Sequence, residues 1–384
     1  MEGPRAGAPD LLATGSVRRM AARIVLFGAT GFTGELTARA LVARGAAPLL
    51  VGRDARRTGA LAAELGVHSA VAHATGPGAG ASITALLEHG DVLISTVGPF
   101  VRWGEPAVHA AISAGAHFLD STGEPPYIRT VFERHGLAAE KAGVVLLTAM
   151  GYDYVPGNLA AALALREAGE RGVRVDVGYF VSGDRAGQFS GGTRASAAGM
   201  LAEPAYAFRD GRLVTERGAR HVRSFDGRPA ISVGATEQFA LPRSYPGLRE
   251  VGVWLGWFGP ASRPLQVLSG ATALATRLPG VRRAITSSAA RLVRGSSGGP
   301  DLQTREAARS EIVAIASDGA GSPVATVRLE GSSPYDFTAG MLAWGAIRAC
   351  SEGLCGRGAL GPVEAYGLDA LESGVAEAGI RRAC

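Results

Sequence analysis

The 384-residue chain reads as an α/β protein, with an N-terminal Rossmann-type parallel sheet followed by a second α+β domain containing a mainly antiparallel sheet. Three observations predict this. From Ala22 to Met150, short and uniformly apolar runs alternate with helix-length segments, the pattern of βα units whose sheet is covered on both faces. A glycine-rich turn from Gly28 to Gly34 joins the first run to the first helix. Beyond Met150 the strand candidates lengthen and follow one another with few helices between them, as antiparallel strands do.

The elements follow in order. Arg23–Phe27 is a first strand, Thr33–Arg44 a helix, Pro48–Val51 a second strand and Ala55–Leu65 a polar helix. Ser69–Ala72 is a weak third strand and Ser82–Glu88 a short helix. Asp91–Ser95, Ala116–Leu119 and Val144–Leu147 continue the series, separated by helical stretches at Glu105–Ala114 and Pro126–Ala142. In the second part, Val173–Ser182, Arg212–Phe225, Ile231–Leu241, Arg249–Trp257, Glu311–Ala316 and Val324–Glu330 are strand candidates. Gly192–Ala207 is helix-like between the first two, and Phe337–Glu352 and Leu368–Ala378 are terminal helices. The expected organisation is a disordered leader over 1–20, a dinucleotide-binding domain over 21–150, a substrate domain over 151–335 and helices over 336–384 returning to the first domain. Met1–Arg19 is rich in Gly, Ala, Pro and Arg and has no apolar signal core, so either it is a leader or Met20 is the true start.

Composition excludes several chemistries. Of 39 lysines and arginines only Lys141 is lysine. It is followed by Ala142, so it completes no phosphate-loop motif, and position 137 is Leu, so it forms no Tyr-x-x-x-Lys pair. A net charge of +5 admits anionic ligands without implying nucleic acid. Cys350, Cys355 and Cys384 are an odd set without a zinc-ligand spacing, which fits a reducing cytoplasm and predicts no metal site. No apolar run is long enough to span a membrane.

Gly28-Ala-Thr-Gly31-Phe-Thr-Gly34 is a GxxGxxG at a strand–helix junction. Glycines there allow a tight turn and bring backbone N–H groups to a pyrophosphate at the positive end of the helix. Gly28, Thr30, Gly31, Phe32, Thr33 and Gly34 are therefore candidate cofactor contacts. The second strand ends in Val51-Gly52-Arg53-Asp54, followed by Arg56 and Arg57. An acid at that strand end would hold the ribose hydroxyl of NAD; Arg53, with Arg57 near it, suits the 2′-phosphate of NADP(H). Asp54 is the residue that argues for NAD. Thr96, Val97, Gly98 and Pro99 end the fourth strand, on the side of the sheet where the nicotinamide half would pass.

Taken together, Gly28–Gly34, Val51–Arg53, Thr96–Phe100, Ala116–Glu124 (AHFLDSTGE), Met150–Asn158 (MGYDYVPGN), Ser190–Thr193, Gly252–Gly259 and Ser333–Ala339 resemble the saccharopine dehydrogenase-like oxidoreductases. Within that group the chain is most similar to the trans-acting enoyl reductases. The resemblance implies a Rossmann domain, an α+β second domain and nicotinamide-dependent reduction. It leaves the substrate open.

The block Gly151–Gly157 follows the last Rossmann strand and so falls at the carboxyl edge of the sheet. Tyr152 or Tyr154 can donate a proton or bind a carbonyl oxygen, with Asp153 orienting the loop. Alternatively, Asp153 caps a helix beginning near Pro156 while both tyrosines pack. Asp120 and Glu124 are carboxylates for the ribose or for proton transfer, or else helix caps; His109 and His117 read as structural. Ser190, Thr193 and Arg194 can meet a substrate carbonyl or a phosphopantetheine, or simply cap a helix. Arg263–Arg294 interleaves apolar residues with six arginines, fitting an acyl tunnel cover, an acidic carrier protein or an anionic membrane, or a helix packed on the second sheet.

The leading expectation is a cytoplasmic NADPH-dependent reductase of an α,β-unsaturated acyl or polyketide-type substrate, free or carrier-bound, with hydride delivered to the β-carbon. An imine or ketone reductase and a non-catalytic NADPH-binding protein at a lipid surface are the alternatives. An acyl carrier protein, a peripheral membrane surface and a second copy of the chain are candidate partners; nucleic acid is not.

Overall fold

A computed structural model describes residues 22–183, 204–275 and 298–383. Six parallel strands alternate with helices in the first part: β1 (Ile24–Phe27), α1 (Phe32–Ala43), β2 (Leu49–Gly52), α2 (Ala55–Leu65), β3 (Ser69–Val71), α3 (Ala79–Thr84) and β4 (Val92–Ser95). Then come α4 (Phe100–Trp103), α5 (Glu105–Ala114), β5 (His117–Asp120), α6 (Pro125–Thr130), a π turn at Val131–His135, α7 (Gly136–Ala142) and β6 (Val145–Leu147). The strand order is β6-β5-β4-β1-β2-β3, parallel throughout, which is the doubly wound dinucleotide-binding arrangement. Every residue of β1 and β4 is buried, explaining why both are continuously apolar rather than alternating.

The chain leaves this sheet through α8 (Val155–Ala168), buried on nearly every side, and enters a mixed sheet. Its strands are β7 (Arg174–Ser182), β8 (Pro204–Arg209), β9 (Arg212–Arg217), β10 (Val222–Phe225), β11 (Arg228–Ser232), β12 (Glu250–Leu255), β13 (Arg309–Ser317) and β14 (Pro323–Gly331). All pairings are antiparallel except β7 with β12. Helices α9 (Glu237–Ser244), α10 (Ser262–Ala275) and α11 (Leu302–Ala307) connect them. The last segment serves both sheets. α12 (Pro334–Ser351) lies on α1, and β15 (Gly358–Ala359) extends the first sheet beside β6. After α13 (Pro362–Tyr366) and α14 (Leu368–Glu377), β16 (Ile380–Arg382) pairs with β14 in the second sheet.

Three predicted elements differ. Residues 204–207, expected to end a helix, belong to β8, whose Ala205–Phe208 are buried against β9 and β12; tertiary burial overrides the helix preference of alanine. The expected strand Ile231–Leu241 stops at Ser232 and continues as α9. Arg212–Phe225 is two strands, broken between Arg217 and Val222.

Candidate active site

The glycine turn sits at the switch between β1 and β4. Gly28 has φ +91, in the region that favours glycine, and its N–H donates to the Val51 carbonyl at 2.9 Å. A β-carbon on Gly34 would overlap the Gly28 carbonyl, so α1 can approach β1 only with glycine there. Gly31 is the N-cap of α1 and no side chain caps that helix. Its first-turn amides, at Phe32 and Thr33, are thus left for an anion, as a pyrophosphate requires. Thr96 ties the β4 end to this turn, its hydroxyl lying 3.1 Å from the Gly28 carbonyl. Val97, Gly98 and Pro99 carry the chain over the turn to α4. The Phe32 ring meets Tyr335 edge-on at 5.2 Å, bringing the start of α12 beside the turn.

Asp54 is not free to take a ribose. Its carboxylate accepts from the Arg57 N–H at 3.0 Å and caps α2, and that hydrogen bond lowers its pKa. Arg53 is exposed at the strand end, and Arg57 Nη2 donates to the Thr30 carbonyl at 3.3 Å, which places its guanidinium on the rim of the glycine turn. The arrangement fits a 2′-phosphate. Residues 24–147 also match the family profile described as the saccharopine dehydrogenase NADP binding domain. This part of the chain is similar to a saccharopine dehydrogenase NADP-binding domain.

Beyond the NADP-binding domain, the chain has the fold of the saccharopine dehydrogenase (L-Glu forming) from Saccharomyces cerevisiae, with a TM-score of 0.54, 14% identity, and coverage of 94% of this chain and 100% of that one. A trans-acting enoyl reductase of Mycobacterium ulcerans is 35% identical over 156 residues, 39% of this chain and 37% of its own. A relative from Mycobacterium tuberculosis is 36% identical over 182 residues, 45% of this chain and 42% of its own. The match therefore spans about two fifths of the length of these curated relatives.

Two loops face each other at the carboxyl edge of the NADP-binding domain, one after β5 and one after β6. In the first, Asp120 accepts through Oδ1 from the backbone N–H groups of Thr122 and Ala149, both at 2.9 Å. Burial pushes its pKa up to about 7. Glu124 accepts from the N–H groups of Phe100 and Val101, each at 2.9 Å, so it caps α4 rather than its own helix. Both acids tie the Gly98–Pro99 turn and the β6 loop into place. His117 is structural too, accepting from the Val145 N–H at 3.1 Å through Nδ1.

In the second loop the three candidate side chains part company. The buried Tyr152 hydroxyl donates to the Phe180 carbonyl at 3.0 Å, and burial raises its pKa. Tyr154 is buried as well, and its carbonyl accepts from Asn158 Nδ2 at 2.9 Å and from the Tyr179 hydroxyl at 3.2 Å. Asp153 does not cap α8, which has no side-chain cap. Its carboxyl lies against Gly123, where a β-carbon would stand 2.9 Å from Oδ2, and Oδ1 is shielded from solvent without a hydrogen-bond partner. Burial alone pushes this carboxyl up to about 7.

Beside Tyr152 a cavity of about 890 Å³ opens at the carboxyl end of β7, lined among others by Phe180, Ser182, Arg228, Arg309, Ser310 and Ser332. Its wall includes Phe180, whose carbonyl accepts a hydrogen bond from the Tyr152 hydroxyl. Ser190, Thr193 and Arg194 lie outside the described residues, as does the arginine-rich segment from residue 276 to 297. Sequence reasoning missed Glu237, which stands fully buried behind Tyr154 and bonds to Tyr179. No local pattern around position 237 marks it; the only hint was Gly157-Asn158 in the neighbouring motif.

Proposed function

We propose that this protein is an NADPH-dependent reductase of a carbon–carbon double bond conjugated to an acyl carbonyl. The observation that carries the reading is the Asp153 carboxyl. The residue is half-buried, its Oδ1 shielded from solvent without a partner, and the carboxyl is held near neutrality at the sheet edge where a dinucleotide presents its nicotinamide. The NADP-binding domain and the names of the mycobacterial relatives support the reductive class.

Phe32, Thr33 and the glycine turn would hold the pyrophosphate, Arg53 and Arg57 the 2′-phosphate, and Thr96–Pro99 would border the nicotinamide half. Bound NADPH supplies the hydride for the β-carbon of the acyl substrate. Asp153 holds the proton that goes to the α-carbon, so the substrate gains one hydride and one proton while its double bond becomes single. A carboxyl with a pKa near 7 is protonated often enough to serve as an acid and is a weak enough base to release its product. Tyr152 and Tyr154 shape the floor. Asp120 and Glu124 hold the opposing loop still, which is what a near-attack geometry requires. The acyl chain enters the cavity beside Phe180 and Ser310.

The protein works in the cytoplasm, a compartment consistent with the free thiols of Cys350 and Cys355. Among the described residues no helix is long and apolar enough to cross a membrane. Carrier-bound thioesters are the first substrates to test, with an acyl carrier protein as the partner that delivers them.

The test is NADPH oxidation by the purified chain with enoyl thioesters, using NADPH deuterated at the transferred position. Deuterium on the carbon β to the carbonyl supports the proposal. Label on a carbon bearing oxygen or nitrogen makes the protein a ketone or imine reductase, and NADPH binding without turnover on any such substrate overturns the catalytic reading.

A further inference from the structure

We propose that helix α10 docks this protein on a bilayer containing anionic phospholipid and brings the rim of the acyl cavity to that surface. The docking stands on the helix itself; only its purpose rests on the reading of the cavity as an acyl site.

Helix α10 turns its polar side chains inward. The Ser262 hydroxyl donates to the Pro229 carbonyl at 3.3 Å, Gln266 Nε2 to the Arg220 carbonyl at 2.9 Å, and the Ser269 hydroxyl to the Gly218 carbonyl. Arg217 Nη1 donates to the Gln266 carbonyl at 2.9 Å. Ser262, Gln266 and Ser269 follow the helical spacing of one face. The opposite face, Arg263, Pro264, Val267, Leu268 and Ala271, is exposed. Val267 keeps 72% and Leu268 53% of its surface in water. The other exposed large apolar residues, Val71, Val101, Leu137 and Leu302, stand singly on four separate elements, which is ordinary for a protein surface. A helix that directs its hydrogen bonds inward and its aliphatic side chains outward is not ordinary, because water disfavours the face it presents.

The surrounding charge selects what covers that face. Ser262–Ala275 contains Arg263 and no acid. The edge to which α10 is bonded carries Arg217, Arg220 and His221. Glu216 beside them is buried, with Arg209, Arg220 and His221 at 3.6, 3.9 and 3.8 Å. One shielded acid is thus set among Arg209, Arg217 and Arg220, and the balance is positive. An apolar stripe flanked by guanidiniums fits the headgroup boundary of an anionic leaflet, where aliphatic side chains enter the hydrocarbon and arginines meet phosphates. A second copy of the chain, docked by the same face, would bring these arginines against one another.

Helix α10 also begins where the cavity ends. Gly256, Gly259 and Pro260 line the cavity, and so does Pro229, the acceptor for Ser262. Val267 lies about two helical turns beyond Pro260, so docking sets the cavity rim close to the lipid. An acyl chain held in the leaflet then reaches the cavity with little exposure to water.

The test floats the full chain with vesicles of mixed phosphatidylglycerol and phosphatidylcholine, and with phosphatidylcholine alone. Wild type should float with the mixed vesicles only and be released by high salt. V267S/L268S and R220Q/R263Q should each weaken binding about tenfold or more. Because these side chains point outward, Tm should stay within about 2 °C of wild type, with NADPH binding unchanged. Tryptophan emission from L268W should shift to shorter wavelength with the mixed vesicles, which keeps the test open if a double variant does not fold. Wild type left behind by the mixed vesicles, or V267S/L268S bound as tightly as wild type, overturns the proposal. So does a wild-type dimer that V267S/L268S splits without either floating, which assigns the face to a second copy. A large loss of Tm in V267S/L268S with flotation retained assigns it instead to packing within the chain, and overturns the proposal too. Flotation needs no substrate, so it can succeed while every enoyl thioester fails, and it can fail while the proposed reaction stands.

Discussion

Asp54 and Asp153 are each adjacent to a predicted contact residue, and their backbone surroundings give them opposite roles. Asp54 precedes a helix and caps it, so the cofactor phosphate is left to Arg53 and Arg57. Replacing both arginines by glutamine should weaken NADPH binding about 10- to 100-fold, the worth of one or two charged hydrogen bonds, and leave NADH binding nearly unchanged; titration of both dinucleotides by fluorescence checks it. Asp153 precedes a helix too, but it does not cap it, and its carboxyl is buried near neutrality instead. D153N should lower kcat by about 10²- to 10⁴-fold while the dissociation constant of NADPH stays within about twofold. The acid must be protonated to work, so kcat/KM in wild type should fall as pH rises through about 7, and D153N should lack that limb.

The start of helix α1 approaches the turn after β1 through the glycine at position 34. A side chain at position 34 would strike the Gly28 carbonyl, and moving α1 away would open the same turn that receives the pyrophosphate. G34V should therefore destabilise the fold by about 1–3 kcal/mol and abolish saturable NADPH binding together, as read by urea unfolding and by the same titration. Normal binding by a folded G34V chain would show that α1 is not placed by this contact. The first-domain elements were legible because each is a short local pattern: four-residue apolar strands, Gly-x-x-Gly turns and a capped α2. The second domain was less so. Pro204–Arg209 has the composition of a helix end and becomes a strand only because β9 and β12 lie beside it. Residues 237–244 follow β11 after only Val233-Gly234-Ala235-Thr236, and Ile231–Leu241 reads as one strand.

At the scale of the whole molecule, burial raises Asp120 and Asp153, each to about 7, and Glu237 to about 8, with no ion pair to any of them among the described residues. Each binds its proton more tightly folded than unfolded, so stability is greatest below the unfolded values near 4 and is lost as pH rises towards 7 to 8. His117, His135 and His221 are shifted down by burial and act in the opposite sense, but only below about 6.5. The net loss should thus appear between about pH 6.5 and 8, as a falling urea midpoint that levels off above 8. A midpoint rising through that window would show that these acids are solvated.

Read alone, the sequence determined the parallel sheet, the glycine turn, the arginine in place of the ribose-binding acid and the motif block around Asp153. Each depends on residues within a few positions of one another, where spacing fixes geometry. Only the tertiary structure decided which acid is free. Asp54, Asp120 and Glu124 each find backbone N–H groups, two of them from distant loops, whereas Asp153 finds none. It alone also brought Glu237 to Tyr179 across 58 residues. Hydrogen-bond partners and burial are properties of the packed chain, and they set the protonation states on which the proposed chemistry depends.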